Sequence, residues 1–474
     1  MMRRRKFLSL AATGAGAAAA ASAGVKPRRA RAQSGTTITV FWNKGFYEGE
    51  DQALRVAIDR WQRETGHRME LSLFSVEDTS RRTIAALEAG TPPDLAYGWQ
   101  FDFNLAPRWA AEGRLVDLSD IVAPFRDQLF PVALQASNYL NERTNTRAIY
   151  ALPVNMQTHH VHYWRDMLVD SQINEADIPN EWSRFWPWWG ETVQAKVRQT
   201  TRNRNLFGAG AAMSVQATDT FFNTQMFLNA YGVTILDEQG RIKLADSESR
   251  GNLIRALSEY VSLAQRGWTP PGSINWGDAD NNVSFHNRTL IMTMNPSISI
   301  PGKWLDDYNQ NRTSNAQVAE QARDAYYNKI RTIVWPDPQG RQLSYPVAVK
   351  QAVIFNNSRN IDVAKSFLRS LCSGDNLRQY TEGALGRWFP VRRDHANVPF
   401  WTGNDDPHRR VVAQQYSTRP LHPFPMVYNY RYADLQNENI WGKALGRVLV
   451  DNWTMERAVD ELIARMRTVL QQPG

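Results

Sequence analysis

A single cysteine, Cys372, stands among 474 residues. That excludes an intrachain disulfide and any metal cluster built from cysteines alone. Long apolar runs are missing as well: past residue 32 none reaches the roughly 18 residues of a membrane-spanning helix. The chain carries no internal repeat and no low-complexity tract, which argues against a scaffold or adhesion module. It has no G-x-S-x-G, no H-E-x-x-H and no phosphate-binding glycine loop. Asp78, Asp102 and Asp278 are available for a hydrolytic carboxylate pair, yet none sits in a recognisable acid/base motif. No catalytic residue, resident metal or cofactor is therefore expected.

Net charge is the next scarcity, once it is located. The formal +8 rests on residues 1–32, which hold Arg3, Arg4, Arg5, Lys6, Lys26, Arg28, Arg29 and Arg31 and no acid. From Gln33 onward the balance is even, so a basic field that would bind nucleic acid is absent. Within the leader, Arg4-Arg5-Lys6-Phe7-Leu8 matches the pattern of twin-arginine export signals. A mild Ala/Gly-rich stretch follows, and Ala30-Arg31-Ala32 offers a small-x-small cleavage site. The leader is expected to be removed and the mature protein to reach the periplasm.

What the mature chain does have is apolar and aromatic weight: 42% hydrophobic residues, 11% aromatics and 17 tryptophans. That is too rich for a disordered chain and suits ligands with flat apolar faces. About 440 residues imply two large lobes. Thr37–Trp42 reads as a buried strand, Asp51–Glu64 as a helix closed by Gly66, and Met69–Phe74 as a second strand. A helix over Thr79–Ala89 and a strand over Asp94–Trp99 complete the alternation. This order predicts an α/β fold with a doubly wound sheet flanked by helices, its ligand crevice at the carboxyl ends of the strands. Residues 285–294 and Gln351–Phe355 read as further strands, Asp362–Cys372 and Met455–Leu470 as amphipathic helices. No single linker divides the chain, so it is expected to cross between lobes several times.

Five segments, in order, resemble a known family. They are Thr91-Pro92-Pro93-Asp94-Leu95; Glu112–Leu118 with its G-x-L-x-x-L element; Ile149–Leu168; Phe285–Asn295; and Asp362–Leu371 followed by Gly386–Arg392 (GRWFPVR). Together they resemble the extracellular solute-binding proteins of the family that includes maltose-binding protein, the receptor component of ABC importers. Departures occur at Trp164-Arg165 and at Asn287, where the family favours other residues. The resemblance implies a two-lobed periplasmic-binding-protein fold, each lobe a doubly wound sheet, closing over ligand by a hinge. It implies no chemistry, a small-molecule solute (carbohydrate or polyol), an ABC permease as partner, and a monomer. An exported polysaccharide hydrolase or lyase is the alternative.

The resemblance divides the chain into a leader (1–32), a first lobe (33–152 plus about 295–348) and a second lobe (153–294 plus about 349–474). Hinge crossovers are expected near 151–158, 290–296 and 345–352. Trp42, Asn43, Lys44 and Trp99 lie just beyond strand ends, where an indole can present its face to a sugar and amides can bond hydroxyls. Gln157 and Thr158 lie in the first crossover, as does Asn155. An amide at Gln157, where malto-oligosaccharide binders often carry a carboxylate, speaks against maltose. Phe221, Gln225, Asn295, Arg387, Trp388, Tyr428 and Tyr430 fall in segments that line the cleft in relatives. Trp388 and Tyr430 are expected as second-lobe platforms opposite Trp99. Arg387 has two readings, a fork for an anionic group or an ion pair with Asp394 or Glu382. His159, His160 and His162 are read as contacting ligand, as hydrogen-bonded in the crossover, or as metal-ligating, and Trp182, Trp186, Trp188 and Trp189 are read as core.

Overall fold

The computed structural model describes residues 35–471 apart from Ala245; the expected leader lies outside the described residues. The strands in chain order are β1 (Thr37–Asn43), β2 (Arg68–Phe74), β3 (Leu95–Gly98), β4 (Asn138–Asn141), β5 (Thr146–Ile149), β6 (Leu152–Gln157), β7 (His160–Trp164), β8 (Phe207–Gly210), β9 (Leu290–Asn295), β10 (Ile330–Ile333), β11 (Tyr345–Pro346), β12 (Ala348–Val353), β13 (Phe389–Pro390) and β14 (Leu421–His422). Two mixed sheets dominate. The first has the order β13-β6-β12-β3-β1-β2 and the second β10-β7-β9-β8, with β4–β5 and β11–β14 forming two small pairs.

The first sheet begins as its sequence pattern predicts. Ile38, Val40 and Trp42 share one buried face of β1. The helix Glu48–Thr65 covers that face with Leu54, Ala57, Ile58 and Trp61, and Gly66 ends it in the left-handed region at φ 75°. β1 pairs in parallel with both β2 and β3. The remaining strands return antiparallel: β12 beside β3 and β6, and β13 beside β6. In the second sheet only β8 and β9 run parallel. Phe285 and His286, read as strand, close the helix Asp280–His286 instead, and β9 starts at Leu290.

The apolar interior divides accordingly. One cluster, containing Trp42, Tyr97, Val349, Phe367 and Tyr416, packs on the first sheet. Another, containing Trp182, Trp186, Trp189, Phe221 and Trp335, packs on the second and takes in the C-terminal helix Met455–Gln471. The tryptophans of 182–189 are thus largely core, and Pro187 does not end the run: a π-helical stretch, Trp188–Val193, continues it.

The expected lobe boundaries do not follow the sheets. β10, at 330–333, belongs to the second sheet, whereas β12, at 348–353, belongs to the first. The helix Ile361–Cys372 and the helix residues Val412 and Tyr416 pack on the first core. Phe424, Tyr432 and Trp441 return to the second. The chain therefore passes between sheets at Thr158–His159, at Val347 and over 419–423. The first two crossings fall where expected. The third replaces the one expected at 290–296, because β9 leads into the helix Ser299–Asn311, whose Ile300 packs on the second core.

The crossings are tied by buried neutral hydrogen bonds. Thr158 Oγ1 donates to the carbonyl of Pro346 (2.7 Å), and the amide of Val347 donates to the carbonyl of His422 (3.0 Å). His160 Nδ1 meets Gln415 Oε1 at 2.9 Å. His162 lies between Thr332 Oγ1 (3.0 Å) and the carbonyl of Ser297 (3.0 Å), and Thr332 Oγ1 reaches His408 Nδ1 at 2.6 Å.

Burial holds His159, His160, His162, His286, His395, His408 and His422 below the usual imidazole range, His160 and His408 at about 4. Between pH 6.5 and 4 the unfolded chain binds protons that the native state refuses, so stability rises with pH in that window. Burial acts in the opposite sense on Glu50 and Asp102, raised to about 7 and about 6, and on Asp219, Glu259 and Asp306, also raised; these are five carboxylates against seven imidazoles. Acidification from pH 7 to 5 is therefore expected to lower the melting temperature, with His160 and His408 each forfeiting about 2 kcal/mol by pH 5 and the raised carboxylates offsetting part of the loss. A melting temperature flat across pH 7 to 5 in calorimetry would contradict this placement of the histidines.

Candidate ligand-binding cleft

At the carboxyl end of β3 the chain turns into a π-helical segment, Phe101–Leu105. Gly98 permits that turn, because the Phe101 ring occupies the space a β-carbon would need. The wider turn aims Asp102 at β12 and Phe103 towards the second sheet, where it packs against Phe222 and Phe424. Asn43, at the end of β1, accepts the amide of Trp99 on Oδ1 (2.6 Å) and donates to Thr79 Oγ1 (2.6 Å). Asn43 thus fixes the backbone that carries Trp99.

β12 supplies Lys350, a charged residue inside an otherwise uncharged buried strand. The pairing register of β12 with β6 shifts between Lys350 and Gln351, an irregularity that re-aims a side chain. Lys350 Nζ donates to the carbonyl of Trp99 (2.6 Å) and lies 3.6 Å from Asp102 Oδ1, while Asp102 Oδ2 accepts the amide of Val349 (2.8 Å). Desolvation raises Asp102 to about 6 and lowers Lys350, each opposed by the other's charge.

Trp99, Phe103 and Lys350 line a cleft of about 310 Å³ between the sheets. Its first wall is aromatic and cationic. Phe46, Trp99 and Trp388 surround the Arg387 guanidinium, whose central carbon lies 4.1, 4.8 and 4.7 Å from their ring centres. Trp99 and Trp388 meet edge to face at 4.9 Å. Behind them Glu50 is fully buried and accepts from Trp388 Nε1 (2.8 Å) and the amides of Phe46 (2.8 Å) and Tyr47 (3.2 Å). The second wall is polar and acidic: Thr218, Asp219, Asp278, Asn282, Asn295, Ser297 and Ser299. Asn281 Nδ2 donates to Asp219 Oδ2 (3.0 Å) and Asn295 Oδ1 (3.2 Å). Burial and the neighbouring Asp278 push the Asp219 carboxyl well above its usual range.

Of the residues expected at the site, Trp99, Gln157, Asn295, Arg387 and Trp388 line this cleft. Trp388 does not face Trp99 from the second lobe. It belongs to the same wall and the same core cluster, since β13 pairs with β6 of the first sheet. Trp42 is core: it stacks on Tyr97 at 4.2 Å and donates to Tyr380 Oη (2.9 Å). Lys44 is exposed and outside the cleft lining. Thr158 spends its hydroxyl on the crossover. Phe221 is fully buried against Phe222 and Phe424. Gln225 and Tyr428 line a separate hollow with Asn229 and His422. Tyr430 packs under Arg108 and Arg431 in another, beside Tyr139. Arg387 pairs with neither Asp394 nor Glu382, which bind Arg392 and Arg378. Residues unforeseen from sequence are Phe46, Phe103, Asp219, Phe222, Asn282, Ser297, Ser299 and Lys350; Lys350 alone gave a signal, a charge within an apolar strand.

The walls also touch at the rim. Tyr47 Oη, from the loop after β1, donates to the carbonyl of Ser299 (3.3 Å) and rests over Gly302 of the helix Ser299–Asn311.

The family described as bacterial extracellular solute-binding protein has a model that matches residues 57–410, well over half of the chain. No curated protein sequence matches the chain significantly. Among solved structures, the chain is similar to an ABC transporter solute-binding protein of Thermotoga lettingae bound with α-D-tagatose, at 20% identity and a TM-score of 0.70, covering 92% of this chain and 100% of that one. It is similar to T. maritima MalE3 with maltose bound, at 18% identity and a TM-score of 0.69, again over 92% and 100%. A solute-binding protein of Agrobacterium radiobacter in complex with ribitol matches at 19% identity and a TM-score of 0.66, over 92% and 99%. At these identities the likeness is one of fold.

The contact at Gly302 yields a prediction. A β-carbon there would stand 2.5 Å from Tyr47 Oη, so Gly302→Ala is expected to hold the walls apart without altering the cleft lining. Affinity for a ligand found by thermal screening should fall about tenfold, about 1.4 kcal/mol. Adding Tyr47→Phe, which removes the obstructing oxygen, should recover most of it. Equal affinity in Gly302→Ala and the parent, by titration calorimetry, would show that this contact does not form on binding.

Proposed function

The chain belongs to the bacterial extracellular solute-binding proteins, and from that membership we propose that it captures a carbohydrate or related polyol and delivers it to an ABC import permease. The family consists of receptors, which displaces the hydrolase or lyase alternative. The observation that carries the ligand class is the pairing of unlike walls. Phe46 and Trp99 offer aromatic surface on one side, and Asn282, Asn295, Ser297 and Ser299 offer amide and hydroxyl groups on the other. A pyranose has the same two aspects, C–H faces and an equatorial rim of hydroxyls. A cleft of about 310 Å³ lies at the small end of ligand sites, ~300–1,000 Å³, and suits a mono- or disaccharide. The solved relatives named above hold a ketose, a disaccharide and a polyol by their own titles, which supports this reading.

Binding across both walls favours the closed arrangement and compacts the molecule. A monomeric receptor in the periplasm, exported folded through the twin-arginine route, fits the Arg4-Arg5 leader and the single cysteine.

Two outcomes are expected. In a thermal-shift screen of sugars, polyols, amino acids and metal ions, a sugar or polyol should raise the melting temperature. At 100 times its dissociation constant it should add about 2.7 kcal/mol and reduce the radius of gyration in small-angle scattering. Response to amino acids or metal ions alone would remove the carbohydrate assignment. Separately, Arg4→Lys with Arg5→Lys should leave precursor in the cytoplasm in a fractionation experiment, whereas undiminished export would refute the twin-arginine reading.

A further inference from the structure

The cleft contains one cation that, among the described residues, no direct ion pair or hydrogen bond holds. Lys350 is matched by Asp102 and by the carbonyl of Trp99. Arg387 has no such match. Its Nε is buried without a hydrogen-bond partner, and among the described residues it joins no ion pair. A guanidinium stays protonated at any relevant pH, and a desolvated cation is costly until paired. The carboxylates whose charges it feels are Glu50 and Asp219. Glu50 spends its oxygens on Trp388, Phe46 and Tyr47, and Asp219 bonds Asn281. Their raised titration ranges follow from that burial. Three aromatic rings hold the Arg387 fork while leaving it at the cleft surface.

We propose that the solute is a sugar acid whose carboxylate is received by Arg387, with its hydroxyls turned to the Asp219–Asn295 wall. This deepens the receptor reading and rests on it. One unmatched positive charge suits one negative charge. A phosphate ester, with nearly two, would bring its second charge towards Asp219, Asp278 and Glu77, which share the cleft. A planar carboxylate also matches the fork bidentately, and the aromatic surround strengthens that pairing by excluding water.

The test uses the full mature chain and matched probes: D-galacturonate with D-galactose, D-glucuronate with D-glucose, the corresponding acid and neutral disaccharides, and the sugar phosphates. In at least one pair the acid should bind ten times or more tighter than its neutral partner, by titration calorimetry. Arg387→Met should erase that preference, Arg387→Lys should keep part of it, and the melting temperature of unliganded Arg387→Met should equal or exceed that of the parent. Neutral sugars binding as well as their acids would overturn the inference and leave the receptor reading intact. Preference for the phosphates would overturn it too, as would a sharply destabilised Arg387→Met, which marks a structural arginine. If no sugar of any kind bound, the carbohydrate reading and the inference would fall together.

Discussion

The buried pair formed by Lys350 and Asp102 is the constraint on which the cleft depends. It ties the π turn after β3 and the carbonyl of Trp99 to the crossover strand β12. Such a pair is weak evidence for stability, since desolvating two charges offsets most of their attraction. Its consequence is positional. With Asp102 held by the Val349 amide and Lys350 by the Trp99 carbonyl, the backbone that carries Trp99 is fixed, while Glu50 holds the Trp388 indole on the same wall. Removing either charge would strand the other in an apolar setting, so the whole wall depends on both.

The two walls are unlike in a way that bears on closure. Aromatic and cationic groups predominate on the side of the first sheet, with Glu77 and Gln157 beside them, and hydroxyl, amide and acidic groups on the side of the second. Opposite potentials facing across a cleft draw the walls together and steer a charged or dipolar solute into one orientation. Much of the polar surface is already committed. Asn295 Nδ2 bonds Ser297 and Ser299, and Asn43 bonds Trp99 and Thr79. Groups held this way enter binding with their rotamers fixed, and the entropy cost of ordering them on contact is correspondingly small.

Legibility in the sequence followed periodicity. β1 to β3 and their helices were readable because alternation and helical spacing are strong in Thr37–Trp99. Its place beyond a strand end led to Trp99, and the family segments led to Gln157, Asn295, Arg387 and Trp388 in the cleft. Trp42 was misassigned although its parity was available: it shares a face with Ile38 and Val40, so it points at the core. Phe221 had no such cue, because the helix Thr218–Ala230 is buried nearly all round and no face can be read. The lobe boundaries failed for another reason. Residues 295–348 and 349–418 exchange sides because β12 and β13 return to the first sheet, and strand order across a sheet leaves no local trace. Trp388 was placed in the wrong lobe by that error, and Tyr430, which packs beside Arg108 outside the cleft, was expected inside it.

The crossings and the cleft divide the electrostatic labour. The links at Thr158 and Val347 are held by neutral groups, hydroxyls, amides and imidazoles that burial keeps uncharged, whereas the third crossing begins with an ion pair, Arg419 to Asp337 at 2.6 Å. Neutral hydrogen bonds can lengthen and re-form as the lobes move without exposing or burying a charge. The unneutralised charge lies at the other end of the lever, on Arg387 between the walls. Under the proposed closure, a solute biases the open–closed equilibrium through what it contacts in the cleft. Selectivity and closure then draw on the same interaction: a ligand that fails to satisfy Arg387 leaves a cation to be desolvated by the closing walls, and that cost falls on the closed state alone.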